Sequence, residues 1–371
     1  MSKPADDGDY DDGLADARAR IDELDQRIHA LINERAGVAL KVAEIKQAAG
    51  RTDFYRPERE AQVLERVTAR NEGPLGDAEI ARIMREIMSA CLALEKPMTV
   101  AYLGPEGTYT QAAVYKHFGH AVLASPKPAI GDIFRDVEAG NAHFGVVPVE
   151  NSTEGVVTHT LDQLVGSRLS ICGEVALAVH HHLLSHARGF GAIKRVVAHA
   201  QSLAQCRNWL DTHLPGVVRE AVASNGEAAR RVAGDPSAAA IAARAAGEFY
   251  DLPVVASNIE DEPNNTTRFL VLGTQHVAAS GNDMTSILVS IRNRPGMLYR
   301  LLGPAAEAGV DLARIESRPS RRQAWDYNFF IDIEGHAEDA PVRRVIEAIE
   351  SEAVMLKILG SYPRSIGRDG E

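Results

Sequence analysis

The sequence contains few cysteines, and their spacing excludes two kinds of stabilisation. Cys91, Cys172 and Cys206 are the only three cysteines in 371 residues, and they lie far apart without a C-x-x-C pair. We therefore expect neither a disulfide framework nor a zinc site. Unpaired thiols of this kind indicate a protein of the reducing cytoplasm.

Long apolar runs and basic stripes are also lacking. No stretch approaches the roughly 18 unbroken apolar residues that a membrane span requires, so we expect no membrane partner. The net charge of −11 argues against nucleic-acid binding, which requires a basic surface. Residues 1–13 carry five aspartates without an apolar pattern or a signal-peptide pattern, and they predict a disordered tail.

What is present is the composition of an ordinary globular protein with several domains. The chain is 45% hydrophobic and 25% charged, and it is too long for one compact core. Its patterns predict an all-helical module at 14–97 and a two-lobed α/β module at 98–275. A linker-like segment then precedes a ferredoxin-like βαββαβ domain at 284–363.

Residues 14–46 repeat in sevens, which predicts a long helix packed in a coiled-coil-like seam. The two seam positions are filled by Leu14, Ile21, Ile28 and Val42, and by Ala17, Leu24, Leu31, Val38 and Ile45. At 1.5 Å per residue, the predicted helix is roughly 50 Å long.

Arg35 interrupts this apolar seam. Burial of an unpaired guanidinium is costly, so either an anionic ligand or a structural ion pair should meet it. Lys46 follows about three turns later and projects from nearly the same face. Arg18 lies roughly 42 Å from Lys46 along one helix, so a pocket shared by both requires a second chain in an antiparallel dimer.

Two shorter helices follow, each with a glutamate near its apolar face. Pro57 suits a first helical position, and Glu60 lies four residues before Leu64 on the same face. An exposed first-turn carboxylate is the alternative for Glu60. Glu95 lies four residues after Cys91 at the end of the third helix, where a surface charge is equally compatible with the spacing.

These residues resemble the all-helical chorismate mutase family. The resemblance rests on Leu14-x3-Arg18-x2-Ile21-Asp22-x-Leu24-Asp25, Glu34-Arg35, Lys46 and Pro57-Glu58-Arg59-Glu60. It implies an active site shared across a homodimer, in which the partner's Arg18 joins Arg35 and Lys46 on the carboxylates and ether oxygen of chorismate. Glu60 would hold the substrate hydroxyl.

The reaction implied is the rearrangement of chorismate to prephenate, which needs no nucleophile and no cofactor. Catalysis then consists of holding a compact conformer and stabilising developing charge. Two residues depart from the family pattern. Arg56 replaces a common aspartate, and Glu95 occupies a position where some members have glutamine, so Glu95 can donate to the ether oxygen only when protonated.

Strand–loop–helix units then replace the helical pattern. The Gly107-Thr108 turn opens a helix and would offer backbone N–H groups to an anion. A second junction follows the predicted strand 144–149 and carries Asn151 and Ser152 to a helix start. Their side chains fit either a plain helix cap or a ligand cradle.

Four motifs of this module resemble the prephenate dehydratase family. They are Gly104-Pro-Glu-Gly-Thr108, Val147-Pro-Val-Glu-Asn-Ser-Thr-Glu-Gly155, His199-Ala-Gln-Ser-Leu-Ala-Gln-Cys206 and Thr267-Arg-Phe269. The resemblance implies two lobes like those of a periplasmic solute-binding protein, with the active site between them.

By this resemblance Thr267 is the main catalytic group and assists departure of the ring hydroxyl as prephenate loses CO2 to give phenylpyruvate. Arg268 would orient a substrate carboxylate. The rest of the pocket would comprise Gly107, Thr108, Asn151, Ser152 and Gln205. Ala198 replaces the serine that commonly precedes the H-x-Q motif, and Ser202 is the candidate to replace that hydroxyl.

The last module resembles the ACT regulatory domain, which binds phenylalanine at a dimer interface. The resemblance rests on Asn293-Arg-Pro-Gly-Met-Leu298 and Glu316-Ser-Arg-Pro319. The implied effector residues are Gly296, Met297, Leu298, Glu316, Ser317, Arg318 and Pro319. Met297 replaces the usual small residue, and an ACT fold used only for dimerisation is the alternative.

Together the three modules resemble the bifunctional chorismate mutase–prephenate dehydratase family of bacterial phenylalanine synthesis. A prephenate dehydrogenase would require a G-x-G-x-x-G fingerprint, and none follows a predicted strand. A phenylalanine-sensing binding protein without catalysis is the non-enzymatic alternative. We expect no metal at His180, His181 and His182, because consecutive strand residues point to opposite faces.

Overall fold

The computed structural model describes residues 7–50, 54–292, 294–319 and 327–365. Its first module contains three helices, α1 (Asp7–Ala48), α2 (Pro57–Thr68) and α3 (Asp77–Glu95). Pro57 occupies the first turn of α2, as the sequence predicts, because its fixed φ suits that position. The third helix ends before Pro97, which cannot continue it.

Helix α1 begins earlier than the sequence predicts. It includes residues 7–13, which the sequence assigns to the disordered tail, and the rest of that tail lies outside the described residues. Each residue added to an existing helix gains a backbone hydrogen bond, so a polar segment can extend it without an apolar face.

Two α/β lobes follow. The first lobe contains β1 (Thr99–Leu103), α4 (Tyr109–Phe118), β2 (Leu123–Lys127), α5 (Ile130–Glu138), β3 (Phe144–Asn151), β4 (Gly155–Val156), α6 (Thr158–Gly166) and β5 (Ser170–Ala178). The second contains β6 (His182–Leu184), β7 (Arg195–His199), α7 (Ala200–Gln205), α8 (Arg207–His213), β8 (Val218–Val222), α9 (Asn225–Val232), β9 (Ala238–Ala242), α10 (Arg244–Phe249) and β10 (Val254–Ala256). The chain then returns to the first lobe as β11 (Thr266–Gly273).

The sheet orders show how the chain crosses between the lobes. The first sheet has the order β2-β1-β3-β11-β5, with β4 beside β3, and the second has the order β10-β6-β9-β7-β8. The sequence predicts one strand over 176–184, whereas the structure divides it into the end of β5 and the whole of β6. The segment between them is the first crossing, and the segment before β11 is the return.

The third module has the predicted βαββαβ order. It consists of β12 (Asp283–Ile291), α11 (Met297–Ala308), β13 (Leu312–Pro319), β14 (Tyr327–Glu334), α12 (Ala340–Glu352) and β15 (Met355–Pro363). The antiparallel sheet has the order β13-β14-β12-β15. The predicted strand over 325–333 falls partly outside the described residues, and its described part is β14.

Apolar contacts join the third module to the first lobe. Leu288 and Phe330 belong to the same buried cluster as Leu270 and Leu272 of β11. Strand β15 lies so close to β5 that a Cβ atom on Gly360 would overlap the backbone of Ile171. The two sheets therefore share one core rather than being joined only by a linker.

The helical module is attached to the same lobe through Tyr55. Its ring is buried against Phe118 and Phe144, with ring centroids 5.4 Å apart in both pairs. No helix within the described ranges combines the length and the apolar character that a membrane span requires.

Candidate active sites

A cavity of about 330 Å³ lies between the two α/β lobes. Strand ends and helix starts supply its polar lining, because both types of terminus leave backbone and side-chain groups pointing outward. The structure brings together five residues of the predicted dehydratase site here: Gly107, Thr108, Asn151, Gln205 and Thr267.

Asn151 and Thr267 form the central hydrogen bond of this cavity. The Oδ1 atom of Asn151 accepts hydrogen bonds from the backbone N–H groups of Thr153 and Glu154, both at 3.0 Å, which identifies the opposite atom as the amide nitrogen. That nitrogen donates to Oγ1 of Thr267 at 2.8 Å and to Oδ1 of Asn265 at 2.7 Å. Because the Thr267 oxygen accepts, its own hydrogen is available to a ligand in the cavity.

Gly107 and Thr108 shape the turn at the entrance of the cavity. Gly107 has a φ of +77°, and a Cβ atom there would lie 3.0 Å from Cα of Ala246 in the second lobe, so only glycine fits the turn without strain. Its N–H donates to Oε1 of Gln111 at 2.6 Å, and Thr108 caps α4. The Gly107 N–H is therefore engaged within the protein, which differs from the predicted anion-binding role.

Ser152 lies outside the cavity lining. Its hydroxyl accepts from the backbone N–H of Thr266 at 3.0 Å and donates to the carbonyl of Asn264 at 3.3 Å. These two bonds secure the return segment immediately before β11. The structure thus gives Ser152 a role in holding the strand, in place of the predicted contact with substrate.

Arg268 also lies away from the cavity. It follows Thr267 in β11, and successive strand residues point to opposite faces, so its side chain faces the third module. There its guanidinium contacts Glu174 at 2.8 Å and Asp332 at 2.6 Å. Its predicted contact with a substrate carboxylate is not compatible with this position.

The sequence prediction omitted a buried histidine in the cavity. Nε2 of His181 lies 2.8 Å from Oε1 of Gln205, and Nδ1 lies 3.1 Å from the hydroxyl of Tyr109. Burial lowers the pKa of His181, which favours the neutral ring. The three consecutive histidines predict nothing more than the absence of a metal site, whereas the structure places one of these polar rings between Tyr109 and the H-x-Q helix.

The three consecutive histidines have different partners. His180 pairs with Glu260 at 2.8 Å, whereas Nδ1 of His182 accepts from the backbone N–H of Asn258 at 3.3 Å. Within the described ranges, no group of three His, Cys, Asp or Glu residues is placed to hold a metal ion.

Ser202 lies beside the position where the sequence lacks a family serine. Ala198 is fully buried in β7, and Ser202 lines the cavity from α7. The Ser202 hydroxyl accepts from Nδ2 of Asn225 at 2.8 Å. Its own hydrogen can therefore be directed to a ligand.

The predicted mutase residues are dispersed in the single chain. Arg18 and Arg35 lie on the one long helix α1, and Nζ of Lys46 donates to the carbonyl of Phe54 at 3.4 Å. The seam residues of α1 from Ile21 onward are exposed rather than packed: the exposed fractions are 55% for Ile21, 52% for Ile28, 61% for Leu31 and 69% for Ile45.

Glu60 and Glu95 occupy different surroundings. Glu60 forms an ion pair with Arg85 at 3.2 Å and lines a cavity of about 620 Å³ together with dehydratase-lobe residues such as His117. Burial raises the pKa of Glu60, and Arg85 opposes the shift. Oε1 of Glu95 is buried and has no hydrogen-bond partner within the described chain.

The predicted effector residues lie on α11 and β13. Gly296 precedes α11 with a φ of +81°, Met297 packs against the core of the third module, and Leu298 is exposed. Glu316, Ser317, Arg318 and Pro319 form the end of β13, the edge strand of its sheet. Arg318 reaches Asp162 of the first lobe at 3.3 Å.

The chain therefore has the architecture of a multidomain enzyme. It combines a helical module, a two-lobed module whose cleft contains the hydrogen-bonded Thr267 hydroxyl, and a ferredoxin-like domain. Three families match consecutive parts of the chain: Chorismate mutase type II over residues 17–96, Prephenate dehydratase over 100–277 and ACT domain over 285–351. The predicted fold class is thereby confirmed.

Relatives extend the match to nearly the whole chain. A bifunctional chorismate mutase/prephenate dehydratase of Stutzerimonas stutzeri is 54% identical and covers 96% of this chain and 99% of its own length. The corresponding protein of Aquifex aeolicus is 40% identical, covering 95% and 98%. Among solved structures, the prephenate dehydratase from Arthrobacter aurescens in complex with L-Phe has 34% sequence identity to this chain. The structural match has a TM-score of 0.67 and covers 72% of this chain and 90% of that chain.

The chain belongs to the family of bifunctional chorismate mutase/prephenate dehydratases. It is an enzyme with both activities in phenylalanine biosynthesis, and it carries an ACT regulatory domain. The alternative of a sensing protein without catalysis is therefore set aside.

Proposed function

We propose that Thr267 assists the dehydration of prephenate and that Asn151 directs its hydroxyl. The observation that carries this proposal is the Asn151–Thr267 hydrogen bond, in which the threonine oxygen accepts and its hydrogen remains available. In the reaction the bond between the ring and the carboxylate carbon breaks, and its electron pair enters the ring. The ring hydroxyl departs and takes up a proton, so the products are phenylpyruvate, CO2 and water.

Aromatisation supplies the driving force for this step. Positioning of the substrate and modest acid assistance are then sufficient, and no strongly acidic group is required. Gln205 and neutral His181, joined at 2.8 Å, provide further polar groups on the opposite lobe. Their arrangement supports a cleft that closes around a small polar substrate.

Replacement of Thr267 tests this assignment. Thr267→Ala should abolish formation of phenylpyruvate from prephenate, while consumption of chorismate should continue at the original rate. Thr267→Ser retains the hydroxyl and is the matched control, so it should retain measurable dehydratase activity. Full dehydratase activity in Thr267→Ala, or an equal loss of both activities, would refute the assignment.

We propose further that the mutase site is completed by a second copy of the chain. Helix α1 is one continuous helix of 42 residues, so Arg18 and Lys46 are roughly 42 Å apart within a chain. The exposed seam of α1 supports burial against another α1. In such a homodimer, the partner's Arg18 joins Arg35, Lys46, Glu60 and Glu95 around chorismate.

Phenylalanine is the proposed effector. The solved Arthrobacter aurescens prephenate dehydratase is in complex with L-Phe, and this chain matches an ACT domain over residues 285–351. The proposed site comprises Gly296, Met297 and Leu298 with the end of β13. Calorimetric titration should detect binding of L-phenylalanine to the intact protein, and absence of binding would remove the effector proposal.

We place the protein in the cytoplasm on the basis of its thiols. Cys91, Cys172 and Cys206 are all buried and unpaired. Burial raises the pKa of the Cys172 thiol to about 12, so this thiol stays protonated at neutral pH. Buried, unpaired thiols are typical of proteins from a reducing compartment.

A further inference from the structure

Two consecutive rungs of the β3–β11 ladder face different parts of the molecule. Thr267 lies opposite Asn151, and Arg268 lies opposite Glu150. Because successive residues of a strand point to opposite faces, the first rung faces the cleft and the second faces the ACT domain. The residues next to Asn151 and Thr267 in the sequence, Glu150 and Arg268, are therefore charged and face the ACT domain.

Arg268 connects the second rung to the middle of the ACT sheet. It is 7% exposed, and it donates to Glu174 of β5 at 2.8 Å, Asp332 of β14 at 2.6 Å and the hydroxyl of Tyr362 on β15 at 3.0 Å. The Ser286 hydroxyl holds the other oxygen of Asp332 at 2.5 Å. Both charges of the interdomain pair are thus buried and hydrogen-bonded.

The electrostatics of this cluster favour the ionised pair. Burial alone raises the pKa of Asp332, but the charge of Arg268 and the Ser286 hydrogen bond outweigh it, and the pKa is lowered. A buried ion pair with several satisfied hydrogen bonds holds its two elements in a defined geometry. The position of β11 is therefore tied to that of β14.

Glu150 connects the same rung to the edge of the ACT sheet. Its Oε2 atom forms an ion pair with Nε of Arg314 at 3.0 Å, and the Arg314 side chain is 13% exposed. Arg314 lies on β13, two residues before the predicted effector segment 316–319. A displacement of β13 would therefore also displace Glu150, the residue next to Asn151.

We propose that Asp332 and Arg314 are positioning residues for dehydration, which hold the Asn151–Thr267 pair through Arg268 and Glu150 and transmit movement of β13 to it. This inference rests on the proposed role of Thr267. Catalysis is sensitive to such movement, because misplacement of a reacting group by about 1 Å can cost about a hundredfold in rate.

The principal test uses Asp332→Asn and Arg314→Gln in the full-length chain. Asp332→Asn leaves Arg268 paired with Glu174, so the buried charge retains a partner. For each variant we expect kcat for prephenate to fall about tenfold or more, KM to change little and mutase activity to be unchanged. Inhibition by L-phenylalanine, measured on the remaining activity, should weaken.

Two further variants keep this test decisive. Asp211→Asn removes an exposed ion pair with Arg219 in the second lobe and should behave as the original protein. If Asp332→Asn does not fold, Ser286→Ala removes the hydroxyl that contacts Asp332 and Tyr362 but leaves the Arg268–Asp332 ion pair in place, and kcat should fall about threefold while KM changes little.

Parallel assay of Thr267→Ala separates the two proposals. If Thr267→Ala is inactive but the folded Asp332→Asn and Arg314→Gln proteins keep the original kcat and phenylalanine inhibition, only the positioning inference is overturned. If Thr267→Ala remains active, the proposed function itself fails. A fall in mutase activity equal to the fall in dehydratase activity would indicate general damage and would also overturn the inference.

Discussion

Two adjacent residues of β11 face different surroundings because of strand geometry. Thr267 faces the cleft, where Asn151 donates to its oxygen, and Arg268 faces the buried ion cluster of the ACT interface. The Thr-Arg-Phe motif alone suggests that both polar side chains contact substrate. The alternation of side chains along a strand shows why only one of them reaches the cleft.

The proposed role of Glu95 as a hydrogen-bond donor in the mutase site can be tested by its dependence on pH. Its Oε1 atom is buried without a hydrogen-bond partner in the described chain. A carboxyl group donates a hydrogen bond only when protonated, so if Glu95 donates to the ether oxygen of chorismate, the mutase should work better at mildly acidic pH. Glu95→Gln donates at every pH and should abolish that preference.

The pH profile of chorismate consumption provides the measurement. Glu72→Gln is the matched control, because Glu72 lies exposed in the turn between α2 and α3, and its profile should equal that of the unmodified protein. An unchanged pH optimum in Glu95→Gln would exclude Glu95 as the donor.

At the scale of elements, the close packing of β15 on β5 joins the ACT domain to the catalytic lobe. A Cβ atom on Gly360 would overlap the Ile171 backbone, which cannot move as a flexible side chain does. Gly360→Ala should therefore destabilise the protein by about 1–3 kcal/mol. The expected observation is a lower midpoint of thermal unfolding.

Gly37→Ala is the control for this substitution. Gly37 lies within α1, and a Cβ atom there would meet no neighbouring atom within 4 Å. Alanine should stabilise that helix by about 0.5–1 kcal/mol, because it loses less backbone entropy than glycine. A midpoint for Gly360→Ala as high as that for Gly37→Ala would contradict the described packing.

Elements bounded by turn residues were predictable from the sequence. The turn from Gly104 to Thr108 predicts a strand over 99–103 and a helix over 109–118, and β1 and α4 have these bounds. The division between β5 and β6 was not predictable, since residues 176–184 read as one strand and only the lobe crossing separates them. The fully helical start of α1 was missed because polar residues give no periodic signal.

The residues of the candidate site were also only partly predictable from the sequence. Gly107, Thr108 and Asn151 were predictable from polar groups at strand–helix junctions, whereas Gln205 and Thr267 were predicted only from the resemblance to prephenate dehydratases. His181 was missed because its partners, Tyr109 and Gln205, are distant in sequence. The ion pairs of Arg268 with Asp332 and of Arg314 with Glu150 depend on how two domains dock, which single-chain periodicity does not contain.

At the scale of the whole molecule, the two proposed catalytic sites differ in whether one chain supplies all of their residues. The dehydratase cleft is closed by two lobes of one chain, whereas the mutase residues on α1 lie along an exposed seam. Arg18 and Arg35 are 17 residues apart on this helix, or roughly 25 Å, so they cannot reach one chorismate from the same chain. The account therefore predicts that each mutase site takes Arg18 and Arg35 from different chains.

Co-expression of Arg18→Ala and Arg35→Ala chains with different affinity tags tests this prediction directly. Each homodimer should lack mutase activity but should convert added prephenate at the original rate. The purified heterodimer contains one site with both arginines intact, so its mutase rate should return to about half of the original. A heterodimer as inactive as its parents would contradict the account, because it would place both arginines of each site in a single chain.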